Sequence, residues 1–344
     1  MRAPGFWWRS QPSALAWLLQ PLGALYGAIT LKRMRHPGAD AGAPVICVGN
    51  FVAGGAGKTP TTLALAARLA ALGETPFALT RGYGGTLSGP LRVEPARHRA
   101  TDVGDEPLLL AARLPTIVSR VRPAGAALAR EAGASLILMD DGLQNPSLHK
   151  DLRLAVVDGA VGVGNGLCLP AGPLRAPLAG QLGQVDALIV IGEGAAGDGV
   201  AAQALIVGKP VLRAKLVPPV DIQAELAGQS VLAVSGIGRP EKFAATLRAA
   251  GARLIGEHAY GDHHAYTAAE VAALIAEAKA KACCVAVTEK DMVKLAPLWP
   301  AAERPLLLCV PVMLAFKDEG ALDALLRGAL AKARSAAPGA ADPQ

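Results

Sequence analysis

Aromatic residues, charged residues and cysteines are all scarce in this chain of 344 residues. Aromatics make up 4% of the sequence, and no stretch interleaves them with basic residues, so no nucleic-acid partner is expected. The five cysteines contain no C-x-x-C motif and are interpreted as small core residues in a reducing compartment. Hydrophobic residues reach 52%, which indicates a globular protein, and a net charge of +6 permits anionic partners.

A glycine-rich loop follows the first apolar run, Pro44-Val45-Ile46-Cys47-Val48. Its sequence is Gly54-Gly55-Ala56-Gly57-Lys58-Thr59, and a helix-compatible segment comes next. Backbone amides of such a loop bind phosphates, the lysine adds a positive charge, and the threonine hydroxyl can ligate Mg²⁺. Val52 stands where the usual motif has its first glycine. The sequence therefore predicts a nucleoside triphosphate site with an altered loop.

Short apolar runs alternate with helical stretches up to residue 191, which is typical of a doubly wound parallel α/β sheet. Residues 209–220 contain three prolines and are predicted to form an extended connector, beyond which a second α/β unit begins at Ser230. The predicted organisation is a membrane-interface segment at 1–35, a P-loop kinase domain at 36–208, a second, smaller α/β/α domain with its connector at 209–334, and a disordered tail at 335–344.

The first 35 residues are unusually apolar. Five of the thirteen aromatic residues fall in the first 26 positions, and leucines recur there at helical spacing. Gln20 and Pro21 interrupt the apolar span, which disfavours a transmembrane helix, and no convincing cleavage site supports a secretory signal. Arg9 and the run Lys32-Arg33-Met34-Arg35 flank the segment, so a helix lying at an anionic membrane surface is predicted. The alternative is a helix that simply packs on the domain.

Two carboxylates follow the apolar run Ser135 to Met139. Asp140 and Asp141 would lie at the carboxyl end of a strand, where ligands of parallel α/β sheets bind. Aspartate pairs also occur in ordinary turns, but downstream of a phosphate loop they are predicted to hold Mg²⁺.

A second acidic motif and a histidine motif lie far apart in sequence. Asp105 belongs to Gly104-Asp105-Glu106-Pro107, just before a helix, and the histidines belong to Asp262-His263-His264. Across a cleft, a carboxylate and an imidazole could take the proton of an attacking hydroxyl. The alternatives are a helix N-cap for Asp105 and a solvated loop or metal site for the histidines.

Two further loops could contact an anionic group. Arg81-Gly82-Tyr83-Gly84-Gly85 is too glycine-rich for regular structure and indicates backbone close to a ligand, and Leu169 to Arg175 is a rigid loop that presents one arginine. Plain turns are the alternative for both. Thr288-Glu289-Lys290-Asp291 differs from the guanine-reading N-K-x-D motif because its lysine is one place late.

Taken together, these motifs resemble the tetraacyldisaccharide 4'-kinase family of lipid A biosynthesis. Besides the loops already given, the resemblance includes Val48-Gly49-Asn50, Pro170-Ala171-Gly172-Pro173-Leu174-Arg175 and Gly236-Ile237-Gly238, and it extends from residue 48 to 291. It implies ATP-dependent phosphorylation of the 4'-hydroxyl of an acylated glucosamine disaccharide phosphate at the cytoplasmic face of the inner membrane. It also implies a P-loop NTPase-like domain, a second domain, and a site in the cleft between them.

The resemblance assigns roles to the motif residues. Lys58 and Thr59 would bind phosphate and Mg²⁺, Asp140 and Asp141 would serve the metal, and Asp105 would be the base, assisted by His263 or His264. Candidate substrate contacts are Asn50, Arg81, Tyr83 and Arg175. Leu143, Asn145 and Ala176 depart from the family pattern, in which phenylalanine, histidine and an acidic residue are usual. A monomer that uses ATP and Mg²⁺ is expected.

A membrane-associated ATPase switch of the partitioning type is the competing hypothesis, because such proteins share the Gly-Gly-x-Gly-Lys-Thr loop and an amphipathic helix. They carry an additional lysine just before the double glycine. Ala53 occupies that place here, which counts against the switch.

Overall fold

Two sheets organise the chain in this computed structural model, which describes residues 3–261 and 264–336. The larger sheet has nine strands in the order β13-β8-β7-β6-β1-β5-β2-β4-β3, and the smaller has four in the order β10-β9-β11-β12. In chain order the strands are β1 (Val45–Asn50), β2 (Pro76–Thr80), β3 (Leu91–Arg92), β4 (Thr116–Val118), β5 (Leu136–Asp140), β6 (Leu152–Asp158), β7 (Ala187–Ile191), β8 (Val211–Val217), β9 (Ser230–Ser235), β10 (Arg253–Ala259), β11 (Cys284–Thr288), β12 (Leu307–Val310) and β13 (Met313–Phe316).

Helices connect and cover the strands. They are α1 (Ala14–Met34), α2 (Lys58–Ala71), α3 (Ala100–Val103), α4 (Asp105–Ala111), α5 (Arg122–Glu131), α6 (Leu178–Leu182), α7 (Ala195–Ile206), α8 (Val220–Leu226), α9 (Pro240–Ala249), α10 (Ala268–Ala280), α11 (Glu289–Leu295) and α12 (Glu319–Ala336). Three short 3₁₀ helices are also described, at Gly5–Trp8, Ala296–Leu298 and Ala301–Leu306.

Successive residues of β1 point into two different cores. Val45 and Cys47 belong to one buried cluster, which includes side chains of α5 and α7, whereas Ile46 and Val48 belong to another, which includes side chains of α2 and α12. Because side chains alternate along a strand, an apolar run of this kind needs helices on both faces of its sheet. Only the edge strands β3 and β13 are antiparallel among the pairings of this sheet within the described residues. The predicted doubly wound α/β class is confirmed.

The predicted boundary at residue 209 is wrong. Residues 209–220 were expected to be a connector, but β8 pairs with β7 in the larger sheet, and β13 and α12 also return to that sheet after the smaller one is complete. The three prolines flank β8 at Pro210, Pro218 and Pro219 and leave its backbone amides free to pair. We refer to residues 220–310 as the second domain.

The predicted disordered tail at 335–344 begins inside a helix. Ser335 lies in α12, which ends at Ala336, and residues 337–344 fall outside the described part of the chain.

The amino-terminal helix α1 packs small residues such as Gly23 and Gly27 against the protein and exposes most of its large apolar ones. Gly23 and Gly27 approach the backbone and side chain of Cys168 so closely that a Cβ at either place would clash. Leu18, 76% exposed, belongs to a stripe that points away from the protein, together with Leu15, Trp17, Leu22, Leu25, Tyr26 and Ile29. Pro21 lies within the helix and does not end it. By length and composition alone, α1 is long and apolar enough to cross a membrane.

Candidate functional site

The glycine-rich loop forms the turn between β1 and α2, at the carboxyl edge of the larger sheet. Gly54 and Gly57 have φ angles of 121° and 93°, which glycine adopts without steric cost, and Lys58 is the first residue of α2. Asn50 is fully buried beneath the loop, where its Nδ2 donates to the carbonyl oxygen of Gly54 at 3.0 Å. The predicted substrate contact of Asn50 is therefore not supported by its position, because its side chain braces the loop instead.

Val52 replaces the usual glycine because the backbone there is paired. It forms an antiparallel bridge with Leu174, Ala53 N donates to Pro173 O at 2.8 Å, and Arg175 N donates to Phe51 O at 2.8 Å. An extended, buried residue needs no left-handed conformation, so valine is tolerated. The same pairing fixes the loop that carries Arg175 against the phosphate loop.

Asp140 ends β5, the strand next to β1. It is 1% exposed, and its Oδ1 accepts a hydrogen bond from Thr62 Oγ1 of α2 at 3.0 Å. Burial, reinforced by the charge of Glu106, raises the pKa of Asp140 well above its usual range, although Lys58 opposes the effect. A cation bound at this point would stabilise the ionised form of Asp140.

Asp141 has the opposite electrostatic environment. Arg175 Nη1 and Nη2 lie 2.7 and 3.1 Å from its two carboxylate oxygens, and Lys58 Nζ lies 3.8 Å from Oδ1. Although burial alone would raise the pKa of Asp141, Lys58 and Arg175 together lower it to about 2. Its φ of 51° is left-handed, a conformation that aspartate tolerates better than most residues. Asp141 is thus ionised and already paired.

The residues present fit a magnesium ion that is completed by phosphate. Asp140 is buried and has no ion pair with any side chain in residues 3–261 and 264–336, and Thr59 lies in the first turn of α2 beside the loop. Among the described residues, no cluster of three or more His, Cys, Asp or Glu side chains could hold a metal by itself. Mg²⁺ in kinases uses one or two carboxylates together with substrate phosphates and waters, so a small protein ligand set is what this chemistry needs.

Asp105 opens α4 and faces the second domain. It is 5% exposed, and its Oδ1 accepts from the backbone amide of Glu106 at 3.0 Å. Lys290 Nζ and Lys294 Nζ, both from α11, each lie 3.9 Å from Oδ2. Gly104, not Asp105, is the residue that precedes the helix, so the N-cap interpretation does not apply. A buried carboxylate from one domain therefore meets two cations from the other.

Of the two histidines, only His264 lies within the described residues. Asp262 and His263 lie outside the described residues, and the assignment of His263 to catalysis stays a prediction. His264 is held within the second domain, since its Nε2 lies 3.0 Å from Glu270 Oε1 and its ring stacks on Tyr260 with 4.6 Å between centroids.

The loop of residues 81–85 lies beside Asp105. A Cβ on Gly104 would be 2.3 Å from the carbonyl oxygen of Tyr83, so the two motifs touch through their backbones. The side chains of Arg81 and Tyr83 are exposed at the edge of the cleft. Both candidates are thus brought to the region of the predicted base.

The departures from the family pattern are mostly internal. Leu143 and Ala176 are buried in the core of the larger sheet. Asn145 Oδ1 accepts from Ser147 N at 2.9 Å and so stabilises its own turn. These three positions serve packing and local structure here.

Two residues at the site, Arg122 and Lys294, were not identified from the sequence. Arg122, at the start of α5, is buried and close enough to Asp140 and Asp141 for their charges to raise its pKa, but burial dominates and lowers it. Lys294 lies three residues after Asp291 and contacts it at 3.5 Å, a spacing that could have revealed the pair on a helix. For Arg122 no local sequence signal exists, because Asp140 and Asp141, its charged neighbours, lie at the end of β5 and far from it in sequence.

The comparisons with known proteins agree with this geometry. A model of the family described as tetraacyldisaccharide-1-P 4'-kinase matches residues 15–331. The tetraacyldisaccharide 4'-kinase of Methylobacterium nodulans is 57% identical over 98% of each chain, and that of Bradyrhizobium sp. strain BTAi1 is 53% identical over 98% of each chain.

A solved structure with the same fold also belongs to this kinase family. The LpxK structure from Aquifex aeolicus, in complex with ATP, superposes with a TM-score of 0.70 at 25% identity, covering 92% of this chain and 99% of that one. The family match over residues 15–331, relatives above 50% identity and a shared fold all indicate the same family. The chain therefore belongs to the tetraacyldisaccharide-1-P 4'-kinase family.

Proposed function

We propose that this chain transfers the γ-phosphoryl group of ATP to the 4'-hydroxyl of a tetraacylated glucosamine disaccharide 1-phosphate, in the cleft between its two domains. The observation that carries the proposal is the alignment of the phosphate loop, Asp140 and Asp105 along one edge of the larger sheet, with Asp105 facing the second domain. Family membership and the ATP complex of the Aquifex relative support the choice of donor.

The donor half of the site neutralises charge. The amides of Gly54, Gly55, Ala56 and Gly57 and the Lys58 ammonium surround the β- and γ-phosphates. Asp140, with the Thr59 hydroxyl, would hold Mg²⁺, which supplies positive charge to the phosphate oxygens. Asp141 pairs with Lys58 and Arg175 and so fixes both cations beside the phosphate loop. Phosphoryl transfer depends mainly on such positioning and electrostatic stabilisation.

The acceptor half removes a proton. The 4'-oxygen attacks the γ-phosphorus, the bond to the β,γ-bridging oxygen breaks, and ADP leaves with that electron pair. Asp105 accepts the hydroxyl proton, and His263 would orient it as the family resemblance implies. Lys290 and Lys294 hold the carboxylate at the cleft. Arg81, Tyr83 and Arg175 are proposed contacts of the anionic sugar substrate.

The exposed stripe of α1 supports a place on the membrane. A substrate with several acyl chains stays in the bilayer, so its kinase must meet it at the surface. Arg9 precedes the helix, Lys32, Arg33 and Arg35 surround its end, and all four are exposed, as an anionic membrane surface would require. We propose peripheral attachment at the cytoplasmic face of the inner membrane, as a monomer, with the small-residue face of α1 retained on the protein.

The proposal is tested by incubating the protein with Mg-ATP and the acylated disaccharide phosphate in mixed micelles and following the lipid by mass spectrometry. The gain of one phosphoryl group, dependent on both ATP and Lys58, is expected. ATP hydrolysis with no phosphorylated lipid would contradict the proposal and would favour the ATPase-switch alternative, which the family match does not support.

A further inference from the structure

Both strands that flank β1 end in a carboxylate. β5 ends in Asp140 and β6 ends in Asp158, so the strand that leads to the phosphate loop has an acidic residue on either side. Asp140 belongs to the nucleotide site described above. Asp158 is 3% exposed and has no role in that site, which leaves a buried charge to be explained.

The carboxylate of Asp158 is divided between its own turn and the second domain. Oδ1 accepts from the backbone amide of Ala160 at 3.0 Å, which fixes the orientation of the side chain. Oδ2 lies 2.8 Å from Arg239 Nη1 and is in contact with Lys242 Nζ. Arg239 precedes α9 and Lys242 lies in its first turn, so both cations come from the second domain. We call these three residues the Asp158 bridge.

The bridge lies close to the phosphate loop. Asp158 is paired in register with Ile191 of β7, and a Cβ on Gly57 would be 2.7 Å from the Ile191 side chain. The second domain is therefore tied to the larger sheet next to the loop, on the side of β1 opposite to Asp140. The contacts of α11 with Asp105 tie it a second time on the Asp140 side. Two ties on opposite sides of β1 restrict rotation of one domain against the other.

The two ties are connected through the second domain. Arg239 ends the loop that begins at Gly236, and Gly236 N donates to both carboxylate oxygens of Asp291 at 3.0 Å. Asp291 is fully buried and lies 3.5 Å from Lys294, which in turn lies 3.9 Å from Asp105. A movement of the loop at Gly236 would therefore shift Asp291, then Lys294, and through Lys294 the contact with Asp105.

We propose that Asp158 is a positioning residue for phosphoryl transfer, which holds the second domain over the phosphate loop by binding Arg239 and Lys242. The inference rests on the proposed function of the cleft. It assigns Asp158 no contact with ATP, metal or lipid. Its effect is on how often the acceptor side of the cleft is aligned with the donor side, a geometry on which phosphoryl transfer depends strongly.

The test compares four variants of the full-length protein. Asp158→Asn keeps the acceptor for Ala160 N and removes the charge, the double variant Arg239→Gln/Lys242→Gln removes the cations, and a third variant combines all three changes. Asp198→Asn is the control for the loss of a carboxylate charge, because the exposed Asp198 pairs with Arg213 at 2.6 Å within the first domain and not with the second domain. For each variant, kcat, KM for ATP, KM for lipid and backbone hydrogen exchange of residues 236–242 are measured.

Asp158→Asn is expected to lower kcat about tenfold or more while KM for ATP changes less than about twofold. The double variant should lose as much, and the combined variant no more than either, because all three residues act as one unit. Faster exchange at residues 236–242 should accompany the loss, and Asp198→Asn should match the unmodified protein in every measurement.

Three results would overturn the proposal. They are a kcat for Asp158→Asn within about twofold of the unmodified protein, losses that add in the combined variant, or a raised KM for ATP in the double variant alone, which would mean that the two cations bind nucleotide. If Asp158→Asn does not fold, the kinetics and hydrogen exchange of the double variant test the proposal. Arg239 and Lys242 are partly exposed, so their replacement is expected to leave the protein folded. An unmodified protein that phosphorylates no lipid contradicts the proposed function instead, and the exchange data still test the bridge.

Discussion

Arg175 binds Asp141 through two parallel contacts, Nη1 to Oδ1 at 2.7 Å and Nη2 to Oδ2 at 3.1 Å. The two residues lie 34 positions apart and come from different loops. Gln144 Oε1 accepts a further hydrogen bond from Nη1 at 3.0 Å, so the guanidinium has a fixed orientation beside the phosphate loop. This geometry explains how Asp141 stays ionised next to the buried Asp140.

Arg175→Lys should reduce activity although it keeps the charge. An ammonium cannot make both contacts to Asp141. Asp141 would then lose its fixed orientation, and its contact with Lys58 would weaken. We expect kcat to fall by roughly ten- to a hundredfold, with a smaller change in KM for ATP. Steady-state kinetics with the lipid acceptor measures both. Arg213→Lys, at the surface pair with Asp198, is the control, and equal effects of the two substitutions would show that the bidentate geometry is unimportant.

Asp105→Asn should separate catalysis from nucleotide binding. The amide keeps an acceptor for Glu106 N but cannot take the proton of the attacking hydroxyl. We expect kcat to fall by about 10² to 10⁴ with ATP affinity near that of the unmodified protein. Titration calorimetry with a nonhydrolysable ATP analogue measures the affinity. Asp102→Asn, three residues earlier, keeps the oxygen that accepts from Arg99 N at 2.7 Å and should leave both quantities unchanged. A matching loss of ATP binding in Asp105→Asn would mean that Asp105 is structural.

Asp140→Asn should stabilise the metal-free protein and abolish its activity. Since burial raises the folded-state pKa of Asp140, protonation of this group favours folding, and that contribution is complete below its unfolded pKa of about 3.9. The contribution is lost as the pH rises through the folded-state value. Asparagine keeps the hydrogen bond from Thr62 without the buried charge.

The melting temperature of Asp140→Asn in EDTA should thus exceed that of the unmodified protein, and the difference should grow from pH 5 to pH 8. Mg-ATP should raise the melting temperature of the unmodified protein more than that of the variant. A variant that is less stable than the unmodified protein at pH 8 would show that the Asp140 charge is compensated within the chain.

Replacement of the exposed leucines of α1 should weaken membrane binding without unfolding the protein. Leu18, Leu22 and Leu25 are 59 to 76% exposed, so Leu→Ser at all three positions removes little core packing. Each leucine that enters the bilayer contributes about 1.5 to 3 kcal/mol, and binding to anionic vesicles should fall at least about tenfold. The matched control is Leu205→Ser/Ile206→Ser, two equally exposed residues at the end of α7. Unchanged vesicle sedimentation of the α1 variant would remove this helix from the membrane contact.

Local pattern was enough to predict most strands and the nucleotide loop. An apolar run such as that of β1 or β7 must be buried on both faces of a sheet. A lysine and a threonine after a glycine-rich turn are typical of a phosphate-binding loop. The strands that were not predicted are β3, β10, β13 and β8, and for β8 the flanking prolines suggested a connector. Proline excludes pairing only at its own position, and strand neighbours decide the rest.

The sequence by itself determined the kind of fold, the phosphate loop and the family, because these depend on periodicity and on motifs that short segments carry. Only the tertiary structure decided that Asn50 braces the loop, that Arg175 pairs with Asp141 and that Asp158 holds two cations of the second domain. Each of these contacts joins segments that are close only after the sheet has formed, or depends on burial that the sheet creates. The charge state of a carboxylate at this site follows from that burial and those partners, which no local pattern encodes.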